Sequence, residues 1–185
     1  MSDPACRLVQ LETPERHPVL VAQVEAIFWQ TSARTFAPGP ERDAFRERWL
    51  GRYLQGGSDV VLLALVGEDT VAGYLVGALE NPLPQPRFAD VAYFRTDFAD
   101  LTKRFPAHLH INLAPGFRSQ GIGAQLIEAF AGHAKRSGAP GMHAVTGKGM
   151  RNVGFYTRCG FTRCGAVLDY PDSQWSVFYE KSLSE

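Results

Sequence analysis

The spacing of apolar residues changes period several times along this chain, and each change marks an element. From Pro18 onward Leu20, Val24, Ile27, Phe28 and Thr31 fall on one face of a helix. Pro38-Gly39-Pro40 breaks it. Phe45, Trp49 and Tyr53, one turn apart, then predict a second helix that stops at Gly56-Gly57. VVLLALV, residues 60–66, is an apolar run of the length of a buried strand. Gly67-Glu68-Asp69 turns the chain, and TVAGYLVGALE returns it as the second arm of a hairpin. Gly73 and Gly77 inside that arm mark a bulge or a close approach of another backbone.

Elsewhere the pattern gives a short first strand at Cys6–Leu11 and a strand at AHLHINL, residues 107–113. A helix from Gly121 to Arg136 carries Ile122, Leu126, Phe130 and Ala134 at every fourth position. GMHAVT, residues 141–146, is a strand, and a short helix follows over Met150–Cys159. Strands Phe161–Leu168 and Gln174–Lys181 close the chain as a hairpin around Asp169-Tyr170-Pro171-Asp172. Residues 81–106 are irregular, because the prolines of NPLPQPRF remove donors and fix φ, with one short helix near Asp97–Arg104. A loop this long is uncommon in a compact domain and often serves as a lid or binding loop.

This order predicts an α/β (α+β) fold: a mixed, mostly antiparallel twisted sheet of about seven strands flanked by about four helices, in a single domain over 1–185. The step from 107–113 through a helix to 141–146 implies one parallel pair. The chain is 45% hydrophobic with 19 Lys+Arg against 19 Asp+Glu, so it is globular and has no net field toward nucleic acid or anionic membrane. The segment MSDPACRLVQLETPERH has no basic region followed by an apolar run, and no apolar stretch is long enough to span a bilayer. Cys6, Cys159 and Cys164 are an odd, scattered set that reads as reduced thiols packed as small apolar groups. The expectation is a cytoplasmic monomer or homodimer.

The segment with chemical content is Ile111-Asn112-Leu113-Ala114-Pro115-Gly116-Phe117-Arg118-Ser119-Gln120-Gly121-Ile122-Gly123. A strand ends, a glycine-containing turn follows and a helix starts. The first N–H groups of a helix have no internal partner, and the helix dipole favours an anion there. Gly121 and Gly123 allow phosphate to approach the main chain, and Arg118 adds a charge-assisted bond. Taken alone, this is equally a tight turn. The usual nucleotide fingerprints, G-x-x-x-x-G-K-S/T and G-x-G-x-x-G, are absent, since Leu126 stands where the third glycine of the latter belongs. A second segment, Asn152-Val153-Gly154-Phe155-Tyr156-Thr157-Arg158-Cys159-Gly160-Phe161, puts Asn152 and Tyr156 one turn apart on a short helix. A phenol there donates a proton and a carboxamide fixes an amide-rich ligand, or Tyr156 is a core aromatic.

Together the two segments resemble the GNAT superfamily of N-acetyltransferases, from about residue 6 to the end and most strongly over 107–161. The family's Q/R-x-x-G-x-G/A signature stands as Arg118-Ser119-Gln120-Gly121-Ile122-Gly123, after Pro115. Its F/Y-Y-x-x-x-G-F pattern stands as Phe155-Tyr156-Thr157-Arg158-Cys159-Gly160-Phe161. FPAHLHINL is also similar to the acetyltransferase-like domain of O-GlcNAc hydrolases.

The resemblance implies acetyl-CoA as co-substrate, with an amine of a small-molecule or peptide acceptor receiving the acetyl group. The main chain of Arg118, Ser119, Gln120, Gly121, Ile122, Gly123 and Ala124 would hold the diphosphate. Ile111, Asn112 and Leu113 would pair with the pantetheine arm, admitted by a splay between this strand and GMHAVT. Tyr156 would protonate the departing thiolate. Many members carry Asn seven residues and Ala four residues before the Tyr; here those positions are Gly149 and Asn152, so Asn152 would bind from a shifted place or only cap local backbone.

An alkyl ammonium titrates near ~10.4, so the acceptor must lose a proton before it attacks. A backbone N–H near Leu113 is placed to stabilise the oxyanion. The base candidates are His108 and His110, which face one side of their strand, and Glu80 at the end of the hairpin arm. Each has an ordinary alternative: histidines bonded within the sheet, a solvated carboxylate at a strand end. His108-x-His110 lacks a third metal ligand at a supporting spacing, and no metal is expected. His143 reads as structural. Acceptor recognition falls to the first two helices and the 81–106 loop, with Phe88, Tyr93, Phe94 and Phe98 lining a pocket or packing the loop. The competing class is a non-catalytic member that binds CoA or a protein partner.

Overall fold

The structure, a computed structural model, describes residues 6–32, 34–55, 59–91, 94–95, 98–147, 150–168 and 175–183, with backbone alone for 163–168 and 175–179. It has seven strands: β1 (Arg7–Gln10), β2 (Val60–Val66), β3 (Thr70–Ala78), β4 (Ala107–Leu113), β5 (Gly141–Gly147), β6 (Thr162–Leu168) and β7 (Trp175–Ser182). The α-helices among the described residues are α1 (Pro18–Thr31), α2 (Pro40–Trp49), α3 (Ala99–Arg104), α4 (Ile122–Arg136) and α5 (Val153–Arg158). This is the mixed, mostly antiparallel α/β architecture expected from the pattern, with β4 and β5 as its parallel pair. Close contacts gather into two compact units, one of residues 1–77 and 110–130 and one of residues 78–109 and 131–185, so that β4 and α4 each contribute to both.

In the first unit β1 pairs antiparallel with β2 from Arg7↔Leu65 to Gln10↔Leu62. β2 pairs antiparallel with β3, with a register shift between Ala64 and Leu65. Val60–Leu65 are all buried, so β2 has no solvent face, which is why it reads as an unbroken apolar run rather than an alternating one. α1 buries Val24, Ile27 and Phe28, and the first half of α4 buries Ile122, Leu126, Ile127 and Phe130. These are the spacings of amphipathic helices.

α2 differs from expectation. It ends at Trp49, and Tyr53 sits on a separate one-turn helix, Gly51–Tyr53. Leu50 takes φ −141° and ψ −56°, which no α-helix continues. Gly51 lies so close to Glu47 that a Cβ would meet the carboxylate at 2.2 Å. The kink turns Tyr53 inward, where only 2% of it remains exposed. The expected stop at Gly56-Gly57 lies outside the described residues.

In the second unit the β4–β5 ladder comprises Ala107↔Met142 and His108↔His143. β5 runs antiparallel to β7 from Gly141↔Ser182 to Gly147↔Ser176, and β7 to β6. The hairpin tip at 169–172 lies outside the described residues. The 81–106 segment carries the one-turn helix Pro86–Phe88 and α3, which starts at Ala99. Phe88, Val91, Phe94, Phe98 and Phe105 are all buried, so this segment is packed down by its own aromatics. Phe105 lies against Gly141, where a Cβ would come within 2.4 Å of its ring, so β5 must begin on a glycine. Among the described residues no helix is long and apolar enough to cross a membrane.

Candidate active site

The turn between β4 and α4 belongs to the first unit. Ala114 leaves β4 with its N–H donating to Ala72 O at 2.9 Å, and Pro115–Phe117 forms a one-turn helix. Ser119 then takes φ +63°, the only non-glycine described in the left-handed region, and Gly121 takes φ +82°. Two positive-φ residues flanking Gln120 make the kind of turn from which an anion-binding nest is built. The N–H groups of Ala124 and Gln125 both donate to Gly121 O, at 3.0 and 3.2 Å, so the helical ladder starts there. The N–H groups before Ala124 precede that ladder and have no partner within it. Ser119, Gln120 and Gly121 are exposed, Ile122 and Gly123 are buried, and a Cβ on Gly121 would point into open space.

Arg118 was expected at the phosphates. Its Nε donates to Leu113 O at 3.2 Å, which folds the side chain across the turn and ties it to the strand end. Gln120 Nε2 donates to Gly116 O at 3.0 Å and braces the turn from the other side. Ile111, Asn112 and Leu113 are half-buried. The Asn112 side chain is engaged: its Nδ2 donates to the hydroxyl of the fully buried Tyr74 at 2.9 Å. Burial pushes the Tyr74 phenol up, partly offset by the bond from Asn112.

The base candidates separate. His110, half-buried, shares a 3.2 Å hydrogen bond between its Nε2 and the Tyr53 hydroxyl and meets the edge of Trp49 at 5.2 Å between ring centroids. Burial, helped by the Arg52 charge, lowers its pKa to about 4, so it is neutral at physiological pH. His108 is buried in the second unit, in ring contact with Phe88, Phe94 and His143, and its Nδ1 lies 3.4 Å from Pro106 O. His143 is equally buried, with Nδ1 bonded to Phe105 O, the structural role expected of it. Glu80 is exposed and accepts from Gln85 Nε2 at 2.8 Å. Among the described residues no cluster of His, Cys, Asp or Glu could hold a metal.

Tyr156 and Asn152 lie in the second unit. α5 is shorter than the expected 150–159, because the chain enters it through tight turns, Met150 N–H to Gly147 O and Val153 N–H to Met150 O. Asn152 therefore sits at the helix start rather than on its face. Its backbone O still accepts from Tyr156 N–H, while its side-chain Oδ1 accepts from the Thr146 hydroxyl at 2.8 Å and makes no helix cap. Tyr156 is 4% exposed, with its ring against Phe155 and Phe161. Burial, and next the neighbouring Cys159, raise its pKa, which keeps the phenol in its proton-donating form.

The sequence did not single out Gly73, Tyr74, Tyr53 or Thr146 as partners of these residues. Only Gly73 carried a signal, a glycine inside an apolar strand.

The polyamine N-acetyltransferase of Drosophila melanogaster, which forms N-acetylagmatine, superposes with a TM-score of 0.69 at 16% identity, covering 96% of this chain and 100% of that one. The N-acetyltransferase of Staphylococcus aureus gives 0.60 at 17% identity, covering 97% and 99%. The yncA protein of Salmonella typhimurium, solved with its cofactor acetyl-CoA, gives 0.59 at 16%, covering 98% and 95%. Likenesses this remote establish the fold. Residues 21–161 match the acetyltransferase (GNAT) family, more than half of the chain and both chemically informative segments, and the protein belongs to that family.

Proposed function

We propose that this acetyltransferase moves the acetyl group of acetyl-CoA directly to an amine of a small-molecule or peptide-like acceptor. The observation that carries the reading is the exposed nest at Ser119–Gly121, formed by residues at φ +63° and +82° ahead of α4. Backbone N–H groups at such a turn, just ahead of a helix, suit a diphosphate, and Arg118 adds the cation. The pantetheine amides pair with the backbone of Ile111–Leu113 as an added strand would. The β4–β5 ladder of only two residue pairs, ending at His108, supports that role.

The neutral amine attacks the thioester carbonyl, and the oxyanion of the tetrahedral intermediate accepts from a backbone N–H near Leu113. The C–S bond breaks, and the leaving thiolate takes the Tyr156 proton. The surplus proton on nitrogen leaves through His110 or water. His110 is the more accessible of the two histidines, half-buried where His108 is enclosed by aromatics, but the burial that lowers its pKa to about 4 weakens it as a base and favours water as the proton carrier; Glu80 lies at the surface. Asn152, braced by Thr146, donates from Nδ2 to a coenzyme amide. The Drosophila neighbour's N-acetylated product supports an amine acceptor. Kinship of FPAHLHINL with the O-GlcNAc hydrolase domain rests on sequence resemblance.

The test is thiol release from acetyl-CoA across a panel of primary amines, beside heat stability with and without acetyl-CoA. Saturation at 100 times Kd stabilises by about 2.7 kcal/mol. Tyr156→Phe is expected to keep acetyl-CoA affinity and lower turnover. Stabilisation by CoA with no thiol release from any amine would replace the enzyme reading with a CoA-binding one.

A further inference from the structure

Three consecutive residues of β3 hold three consecutive residues at the end of β4. Ala72 O accepts from Ala114 N–H at 2.9 Å. The Tyr74 hydroxyl accepts from Asn112 Nδ2 at 2.9 Å. Between them Gly73 has no side chain, and a Cβ there would stand 2.2 Å from Leu113 Cδ2, 2.9 Å from Asn112 O and 3.2 Å from Leu113 Cα. A leucine tip can rotate away, but a backbone oxygen and a Cα cannot move without the strand. At Gly73, therefore, β4 lies too close to β3 for a side chain. Tyr74 is 0% exposed, so its hydroxyl is fixed by packing and does not drift with the strand it holds. On the far side Arg118 Nε closes onto Leu113 O.

We infer that Gly73 and Tyr74 are positioning residues for the transfer step: they fix where the backbone of Asn112–Ala114 lies, and with it the N–H that meets the developing oxyanion. This rests on the function proposed above. Neither residue touches substrate. The Asn112 Nδ2 bond to Tyr74 orients this side chain, while its main chain is the part proposed to pair with the coenzyme. An oxyanion donor is effective only within a few tenths of an ångström of its target. Displacement of the strand by ~1 Å costs on the order of 100-fold in rate.

The experiment compares Tyr74→Phe and Gly73→Ala with wild type by two independent readouts: hydrogen exchange at the Ala114 amide, and the steady-state constants for thiol release from acetyl-CoA with the best amine of the panel. Tyr74→Phe keeps the buried ring, so it folds even where Gly73→Ala does not. The expected result is Ala114 protection reduced at least ~10-fold and kcat reduced ~10- to 100-fold, with KM for acetyl-CoA raised by a smaller factor, since the diphosphate contact at 119–121 is untouched. Wild-type Ala114 protection in Tyr74→Phe overturns the inference, as does an unchanged kcat beside lost protection. A wild-type protein that releases no thiol counts against the functional reading, and the exchange readout still decides whether Tyr74 holds the strand.

Discussion

Substituting Gly121 separates two effects that ordinarily travel together. The residue sits at φ +82°, and a Cβ placed on it meets nothing within 4 Å. In the protein without coenzyme a side chain at 121 is therefore penalised by conformation, not by collision. The left-handed region costs an L-residue roughly 1–2 kcal/mol, more for a β-branched one and less for Asn. For a chain of this length ~1 kcal/mol moves Tm by about 2–4 °C, so Gly121→Val should lower Tm by roughly 4–8 °C and Gly121→Asn by less. Coenzyme binding follows a different rule. If the diphosphate lies against the N–H groups of the nest, any Cβ at 121 fills the space the phosphates need. Each hydrogen bond to a charged group is worth about 1.5–3 kcal/mol. Loss of two of them raises Kd by at least ~100-fold, at 1.4 kcal/mol per decade. Calorimetric titration with CoA, beside unfolding scans of both variants, measures the two effects independently. Gly121→Asn should be nearly as stable as wild type and yet bind CoA poorly. Either variant binding CoA with wild-type affinity would refute the placement of the diphosphate on this turn.

Other expectations are shorter. Tyr156→Phe should reduce kcat by ~10²-fold or more, the usual worth of a general acid, with the CoA dissociation constant unchanged by titration. An unchanged kcat removes Tyr156 as the acid. His110 has a folded pKa of about 4 against an ordinary 6.5. The unfolded chain therefore binds more protons between those values, and stability falls as pH drops from 6.5 toward 4, by on the order of 2–3 kcal/mol, with no further loss from this residue below that window. Urea unfolding at both ends of the window should show a difference that shrinks in His110→Asn. Arg118→Gln removes the cation at the nest and the bond to Leu113 O. CoA affinity should fall about 10-fold at low salt and less at high salt, read by titration at two ionic strengths.

The nest was legible because its determinants are local. Arg118 to Gly123 is a contiguous run whose glycine and strand–turn–helix context can be read without knowing what lies opposite. The placement of Tyr156 on a short helix was legible for the same reason, through Phe155 to Phe161. Periodicity also fixed the class of each element, and it failed where a tertiary contact overrides it. Tyr53 keeps helical spacing from Trp49, yet packing at Gly51 breaks the helix and turns the phenol toward His110. Alternation said that His108 and His110 face one side, which is a statement about one strand. It could not say that they, and Asn112 beyond them, would meet different neighbours. His108 meets an aromatic enclosure, His110 meets Tyr53, and Asn112 meets Tyr74. Those partners come from segments 20 to 57 residues away in sequence, and a one-strand pattern carries no term for them. Which histidine is available for chemistry is thus decided by the neighbours and not by the strand. The same holds for Asn112, expected to pair with the pantetheine arm, whose side-chain Nδ2 is bonded to the Tyr74 hydroxyl. The residues inferred to position the transfer step are a glycine and a tyrosine on β3, and only the glycine carried a signal in the sequence.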